Sequence, residues 1–202
     1  MEWPKIIHQL FQRAEPYLKA RGDKRHTAIS HRYSKYLMKH EGGDHKIIEP
    51  PVILHDVGWS CLKPQELSSA YGVRAKGEEA NRLNRIHETE GAAIAQDILA
   101  ELGFDDDLIQ KISAIINRHD SGISAYSMEE KVVRDADKLW RYSKIGFRTE
   151  IERQRLKLDE LYHHLARHHR SWFFTPTALM LSQEKLSQRF KEIQSRKNKK
   201  QE

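Results

Sequence analysis

The 202-residue chain is 38% hydrophobic and 32% charged, with a formal net charge of +6. Its size fits one domain with a real core, or a domain with an appendage, and no apolar run approaches the roughly 20 residues of a membrane span. A single cysteine, Cys61, excludes an internal disulfide and fits a reducing cytoplasm, and the opening Met-Glu-Trp-Pro lacks the apolar core of a signal peptide. The positive balance favours anionic partners. Part of it lies in a basic stretch over 195–202, expected to be a solvated, disordered tail, and no recognised nucleic-acid motif accompanies it. The expected partner is therefore a small molecule rather than a nucleic acid or a membrane. Twelve histidines are many for this length, and histidine is the commonest side chain to ligate transition metals.

Apolar residues recur at intervals of three and four along nearly the whole chain, which predicts an all-helical protein. The first predicted helix covers 3–20, with Ile6, Ile7, Leu10, Phe11 and Ala14 on one stripe and Pro16 as a possible break. Asp23 is placed to cap the second helix. There His26, Ile29 and Tyr33 share a face, so His26 points inward, while His31 falls off the stripe and reads as a surface residue. The third helix contains Val52-Ile53-Leu54, with Pro50 and Pro51 suited to its first positions and Gly58 to its end. His55-Asp56 closes it. Residues 58–77 read as a long irregular connection able to cover a site.

The fourth helix is expected over 78–102. Its stripe of Leu83, Ile86, His87, Glu90, Ile94 and Ile98 turns His87 inward, and Gly91-Ala92-Ala93 permits a close approach by another helix. The fifth carries Leu108, Ile112, Ile115 and Ile116, and then His119 on the same face at its end. In the sixth, from about Met128, helical phase puts Asp137 on the buried face beside Val133 and Trp140 and turns Asp135 away. A carboxylate among apolar residues must be paired or metal-bound. Two further helices are expected. The one over 149–169 carries His163, His164, His168 and His169 as a solvated face. The other starts at Thr175-Pro176. The domain is drawn as 1–194, with a core over 23–145 and C-terminal helices over 149–194.

His26, His55, Asp56, His87, His119 and Asp137 thus face inward from different helices. Imidazoles with carboxylates suit a divalent ion such as manganese, iron, cobalt, nickel or zinc, and the absence of clustered cysteines argues against a zinc finger. Arg118, Lys138 and Arg141 lie next to ligand positions and are candidates to hold phosphate oxygens.

The pattern of His26-Thr27, Ile-Leu-His55-Asp56-Val-Gly, His87 with Gly91-Ala92, Ile-Asn-Arg-His119 and Asp135-Ala-Asp137-Lys138-Leu139 resembles the HD-domain superfamily, in its metal-dependent phosphohydrolase-like branch. The resemblance implies a single compact all-α bundle of seven to nine helices. It implies His26, His55, Asp56 and Asp137 as the core ligands of a divalent metal (manganese, iron, cobalt, nickel, zinc or magnesium). His87 and His119 would serve a second ion or the substrate. It implies hydrolysis of a small phosphate ester, often a nucleotide, in which Asp56, His87 and His119 take part. Where many members carry lysine after the His-Asp-x-Gly unit, this chain has Trp59. Two alternatives share the motif: a di-iron oxygenase of the same superfamily, and a non-catalytic nucleotide-sensing module.

Overall fold

The computed structural model describes residues 2–198, and within them every regular element is helical. Ten α-helices follow in order: α1 (Trp3–Leu18), α2 (Lys24–Glu41), α3 (His45–Leu54), α4 (Pro64–Ala70), α5 (Gly77–Glu101), α6 (Asp106–Ile116), α7 (Met128–Tyr142), α8 (Lys144–Gln154), α9 (Leu158–Trp172) and α10 (Pro176–Asn198). A 3₁₀ helix, Val57–Cys61, lies between α3 and α4. The expected seven to nine helices are therefore ten. The eight helices read along the sequence lack α4 and run α8 and α9 together. Among the described residues no helix is long and apolar enough to cross a membrane.

α3 runs through the middle of the bundle. Every residue from Ile48 to Leu54 is buried, so this helix is enclosed on all sides rather than amphipathic. One side packs Ile53 and Leu54 against α1, α5 and α6 through Leu10, Ala95, Leu99 and Ile112. The other packs Ile48 and Val52 against α2, α6 and α7 through Leu37, Ile115, Val132 and Val133. Pro50 and Pro51 lie inside α3 and not at its start, which is set by Asp44 accepting from the Lys46 N–H. The two prolines forgo the N–H donors of the second turn. Pro16 likewise lies within α1 and does not break it.

His31 is not a surface residue. Its side chain is 12% exposed, and Nε2 lies 2.5 Å from Glu49 Oε2, while Glu49 Oε1 accepts from Trp3 Nε1 at 2.8 Å. One buried carboxylate of α3 thus holds both α1 and α2.

The connection over 58–77 is mostly helical, comprising the rest of the 3₁₀ helix and α4. Gly58 does not end α3. It sits in the 3₁₀ helix where the backbone meets α5: a Cβ there would fall 2.0 Å from the His87 carbonyl oxygen and 2.5 Å from the Gly91 nitrogen. Two glycines on facing elements allow this contact, which sets the segment 55–58 directly against the turn of α5 that bears His87.

The helix expected over 149–169 is two, α8 and α9. The break is Arg155, in the left-handed conformation (φ 52°), with neither glycine nor proline to announce it. Asp135 is not turned away from the core. It is fully buried and accepts from the Phe174 N–H (2.9 Å), the Thr175 N–H (2.8 Å) and Thr175 Oγ1 (2.7 Å), anchoring the start of α10 on α7. Burial pushes its carboxyl up to about 6 against those hydrogen bonds. α10 runs on to Asn198, past residue 195 where the basic tail was expected to begin, and residues 199–202 lie outside the described residues.

The Gly58 contact has a measurable consequence. Gly58→Ala forces backbone apart from backbone and is expected to destabilise the protein by about 1–3 kcal/mol or more. Urea unfolding checks it: a Gly58→Ala variant as stable as wild type would refute the steric account.

Candidate metal centre

Six inward-facing side chains meet where α2, α3, α5, α6 and α7 converge. His26, His55, Asp56, His87, His119 and Asp137 are all 4% exposed or less. His26 enters from the first turn of α2, its ring stacked on Trp140 (5.2 Å between centroids, 5° between planes). Its Nε2 lies 2.9 Å from Asp137 Oδ1 and its Nδ1 3.2 Å from Asp56 Oδ2. Consecutive residues on a helix point about 100° apart. His55 and Asp56 nevertheless converge, because α3 stops at Leu54 and the chain turns there into the 3₁₀ helix. His55 Nε2 is 3.4 Å from Asp56 Oδ2 and 3.5 Å from Asp137 Oδ1.

Three of the imidazoles are locked in the same way. Nδ1 of His55 lies 2.9 Å from the Val52 carbonyl, Nδ1 of His87 2.9 Å from that of Asn84, and Nδ1 of His119 2.7 Å from that of Ile116. A carbonyl can only accept, so each Nδ1 is the donor and a neutral ring keeps its lone pair on Nε2. Those Nε2 atoms face each other: His87 and His119 bring theirs to 3.3 Å. His26 Nδ1, His55 Nε2 and Asp56 Oδ2 are buried without a hydrogen bond. Opposed lone pairs and unpartnered buried acceptors are what a cation relieves.

The ligand atoms fall into overlapping triads within 4.8 Å, including His26–His55–Asp137, His55–Asp56–His119 and His87–His119–Asp120. In donor type and spacing these residues could hold a metal ion. Of the two aspartates of α7, Asp137 lies in this cluster and Asp135 does not.

Burial works against the His55 imidazolium, but Asp56 and Asp137 outweigh it and hold its pKa well above 6.5. His87, by contrast, is driven down to about 3 by burial and by His119. Asp56 and Asp137 are held well below the usual carboxylate range despite burial, Asp56 chiefly by His55, Arg21 and His26, and Asp137 chiefly by Lys138, His26 and His55.

Several participants were not foreseen. Asp120, in the turn after α6, contacts Lys138 Nζ and completes the third triad. Arg21 is buried between the rings of Trp59 (4.6 Å) and Tyr71 (4.1 Å) and pairs with Asp23 (3.0 Å) and Asp56 (3.7 Å). Asp23 makes no side-chain cap for α2 and pairs with Arg21 and Arg153 instead. Trp59 stacks on His87 (3.7 Å, 7°) and donates to Asp56 Oδ1 at 2.8 Å; buried in this way, its face is closed to any substrate.

A cavity of about 430 Å³ opens beside the centre, lined among others by Asn84, Asp120, Lys138, Arg141, His164 and Trp172. Lys138 Nζ is 3.1 Å from Asp137 Oδ2, and Arg141 Nη1, 3.8 Å from Asp137 Oδ1, is buried without a hydrogen bond. Arg118 is not brought there. Its guanidinium forms two 2.8 Å bonds to Glu130 and lies over Tyr126. His164 and His168, expected on a solvated face with His163 and His169, line the cavity; burial and His168 push His164 down to about 4.

An all-helical domain with a buried histidine–aspartate cluster beside a cationic cavity is the class of protein this geometry defines. The fold has a counterpart among solved structures. A crystal structure of a predicted HD superfamily hydrolase from an uncultured Thermotogales bacterium superposes with a TM-score of 0.65, over 98% of this chain and 99% of that one, at 17% identity. Comparison with protein-family models and with curated proteins finds no match.

Ion binding is expected to release protons. Metal-free His55 holds its proton more strongly than an ordinary imidazole, because Asp56 and Asp137 outweigh burial, whereas burial keeps His87 neutral and Asp56 and Asp137 stay ionised. Manganese uptake near neutral pH should therefore release protons, and affinity should rise with pH. Titration calorimetry in two buffers of different ionisation enthalpy checks this; heats independent of buffer would contradict it.

Proposed function

We propose that the protein is a metal-dependent phosphohydrolase that cleaves a small phosphate ester, a nucleotide being the leading class. The observation that carries this reading is the opposition of three tautomer-locked Nε2 atoms and two buried carboxylates, next to a cavity with Lys138 and Arg141 in its wall. His26, His55, Asp56 and Asp137 are the residues that would hold one ion, and His87 and His119 would serve a second. When bound, a divalent ion supplies Lewis acidity, which neutralises phosphoryl charge and makes water a nucleophile near neutral pH.

The chain's own groups do the rest. Lys138 and Arg141 hold phosphoryl oxygens as charge-assisted donors, and their position beside Asp137 orients the ester toward the centre. Asp56 fixes the geometry of the centre through Trp59 and Arg21 and faces His26 and His55. His87 stays neutral near pH 7, which suits a ligand and not a proton donor. The Trp59 and Trp140 rings, stacked on His87 and His26, keep bulk water from the back of the imidazoles.

Metal analysis of anaerobically purified protein, followed by a phosphatase screen over nucleotides and sugar phosphates, tests the reading. Asp56→Asn and Asp137→Asn should lower kcat/KM by at least about a hundredfold while circular dichroism keeps its helical signal, and Lys138→Ala should raise KM more than it lowers kcat. Wild type should take up two equivalents of manganese or iron, falling to about one in His87→Ala. Iron content with substrate-dependent oxygen uptake, and no phosphatase activity, would replace hydrolysis with oxygenase chemistry.

A further inference from the structure

Glu88 is fully buried on α5, one residue beyond His87, and it faces the turn that follows α6. Its Oε1 accepts from two successive backbone N–H groups, those of Asp120 and Ser121, each at 2.8 Å. Its Oε2 accepts from Ser121 Oγ at 2.6 Å and from Arg85 Nη1. Arg85 reaches the same turn independently, through the Asn117 carbonyl (2.5 Å), Asn117 Oδ1 (3.2 Å) and Ser121 Oγ (3.0 Å). The backbone ladder does not take up the Asp120 and Ser121 N–H groups. The neighbouring bonds run from His119 to Ile116 and from Gly122 to Arg118.

The residues held by this carboxylate are the ones that matter to the centre. His119 precedes the two captured N–H groups and Asp120 owns one of them, while His87 adjoins Glu88 on α5. The 3.3 Å separation of His87 Nε2 and His119 Nε2 spans two helices, and Glu88 is the group that ties α5 to the backbone N–H groups following His119. Two adjacent N–H groups aimed at one oxygen form an anion-binding concavity. Here the anion is supplied by the protein. Removing it leaves buried donors without an acceptor and frees the turn to rotate His119 away.

We propose that Glu88 is a positioning residue that holds His119 and Asp120 in register with His87 across the metal centre. It rests on the reading of that cluster as a metal site. A group that orients ligands without touching the ion typically changes metal affinity or activity about 10–100-fold when removed. Glutamine keeps an acceptor oxygen for both N–H groups and an N–H₂ that Ser121 Oγ can accept from. Arg85 retains its Asn117 and Ser121 partners.

The test compares wild type, Glu88→Gln and Glu88→Ala by manganese titration, with amide exchange measured by NMR on the wild-type protein. Ser121 is exposed, yet its amide and that of Asp120 should exchange slowly. Manganese affinity should fall about 10–100-fold in Glu88→Ala and be largely restored in Glu88→Gln. Normal uptake in wild type with unchanged affinity in a folded Glu88→Ala overturns the positioning role and leaves the metal centre standing. Absence of uptake in wild type removes the metal-site reading, and this inference with it. Should Glu88→Ala fail to fold, Glu88→Gln and the wild-type exchange decide: fast exchange at both amides overturns the proposal, and slow exchange with near-native affinity in Glu88→Gln supports it.

Discussion

The centre depends on one repeated hydrogen bond. In His55, His87 and His119 the ring nitrogen nearest the backbone donates to the carbonyl three residues earlier, at the end or on the flank of a helix. Each bond removes the freedom of the ring to flip and turns Nε2 toward the centre. Such a bond is local and forms wherever a helix ends or curves suitably. Its consequence is not local, because the freed Nε2 atoms come from α3, α5 and the end of α6 and point at a common volume. Helix packing decides where they meet, and the backbone bond decides what they present on arrival.

That packing is possible because charge is balanced around the centre at every depth. Asp23, Asp56, Asp120 and Asp137 are matched by Arg21, Lys138, Arg141 and Arg153, and the pairs interlock, with Arg21 joining Asp23 to Asp56 and Lys138 joining Asp120 to Asp137. Buried carboxylates without such partners would take up protons, as Asp135 tends to do in its less charged surroundings. The aromatic rings of Trp59, Tyr71 and Trp140 close the remaining space by stacking on His87, Arg21 and His26. Cations toward the cavity then have a second use, since Arg141 keeps a buried nitrogen without a hydrogen bond.

The helical class, the bounds of α5 and the inward set of His26, His87, His119 and Asp137 were legible because a period of three to four residues encodes which way a side chain faces. The same rule separated Asp137 from Asp135 as a centre residue. It misjudged Asp135 itself, whose partners Phe174 and Thr175 lie on a different helix. It missed the break at Arg155 because one residue in the left-handed region ends a helix without any change in apolar pattern. It read 58–77 as irregular because α4 has only 7 residues, two turns, and shows little periodicity.

By itself, then, the sequence determined the faces: which residues look inward from which helix, and that histidines and aspartates, of a kind fit for a divalent ion, are among them. Only the tertiary structure decided allegiance. Arg118 goes to Glu130 and not to the cavity, Glu88 reaches across to the Asp120 turn, His164 and His168 line the cavity, and Arg21 joins the centre from the end of α1. The physical reason is that periodicity is a property of one element, whereas the partner of a charged or hydrogen-bonding group is chosen by distance in space. The Glu88 partners lie 32 and 33 residues along the chain, beyond the reach of any local pattern.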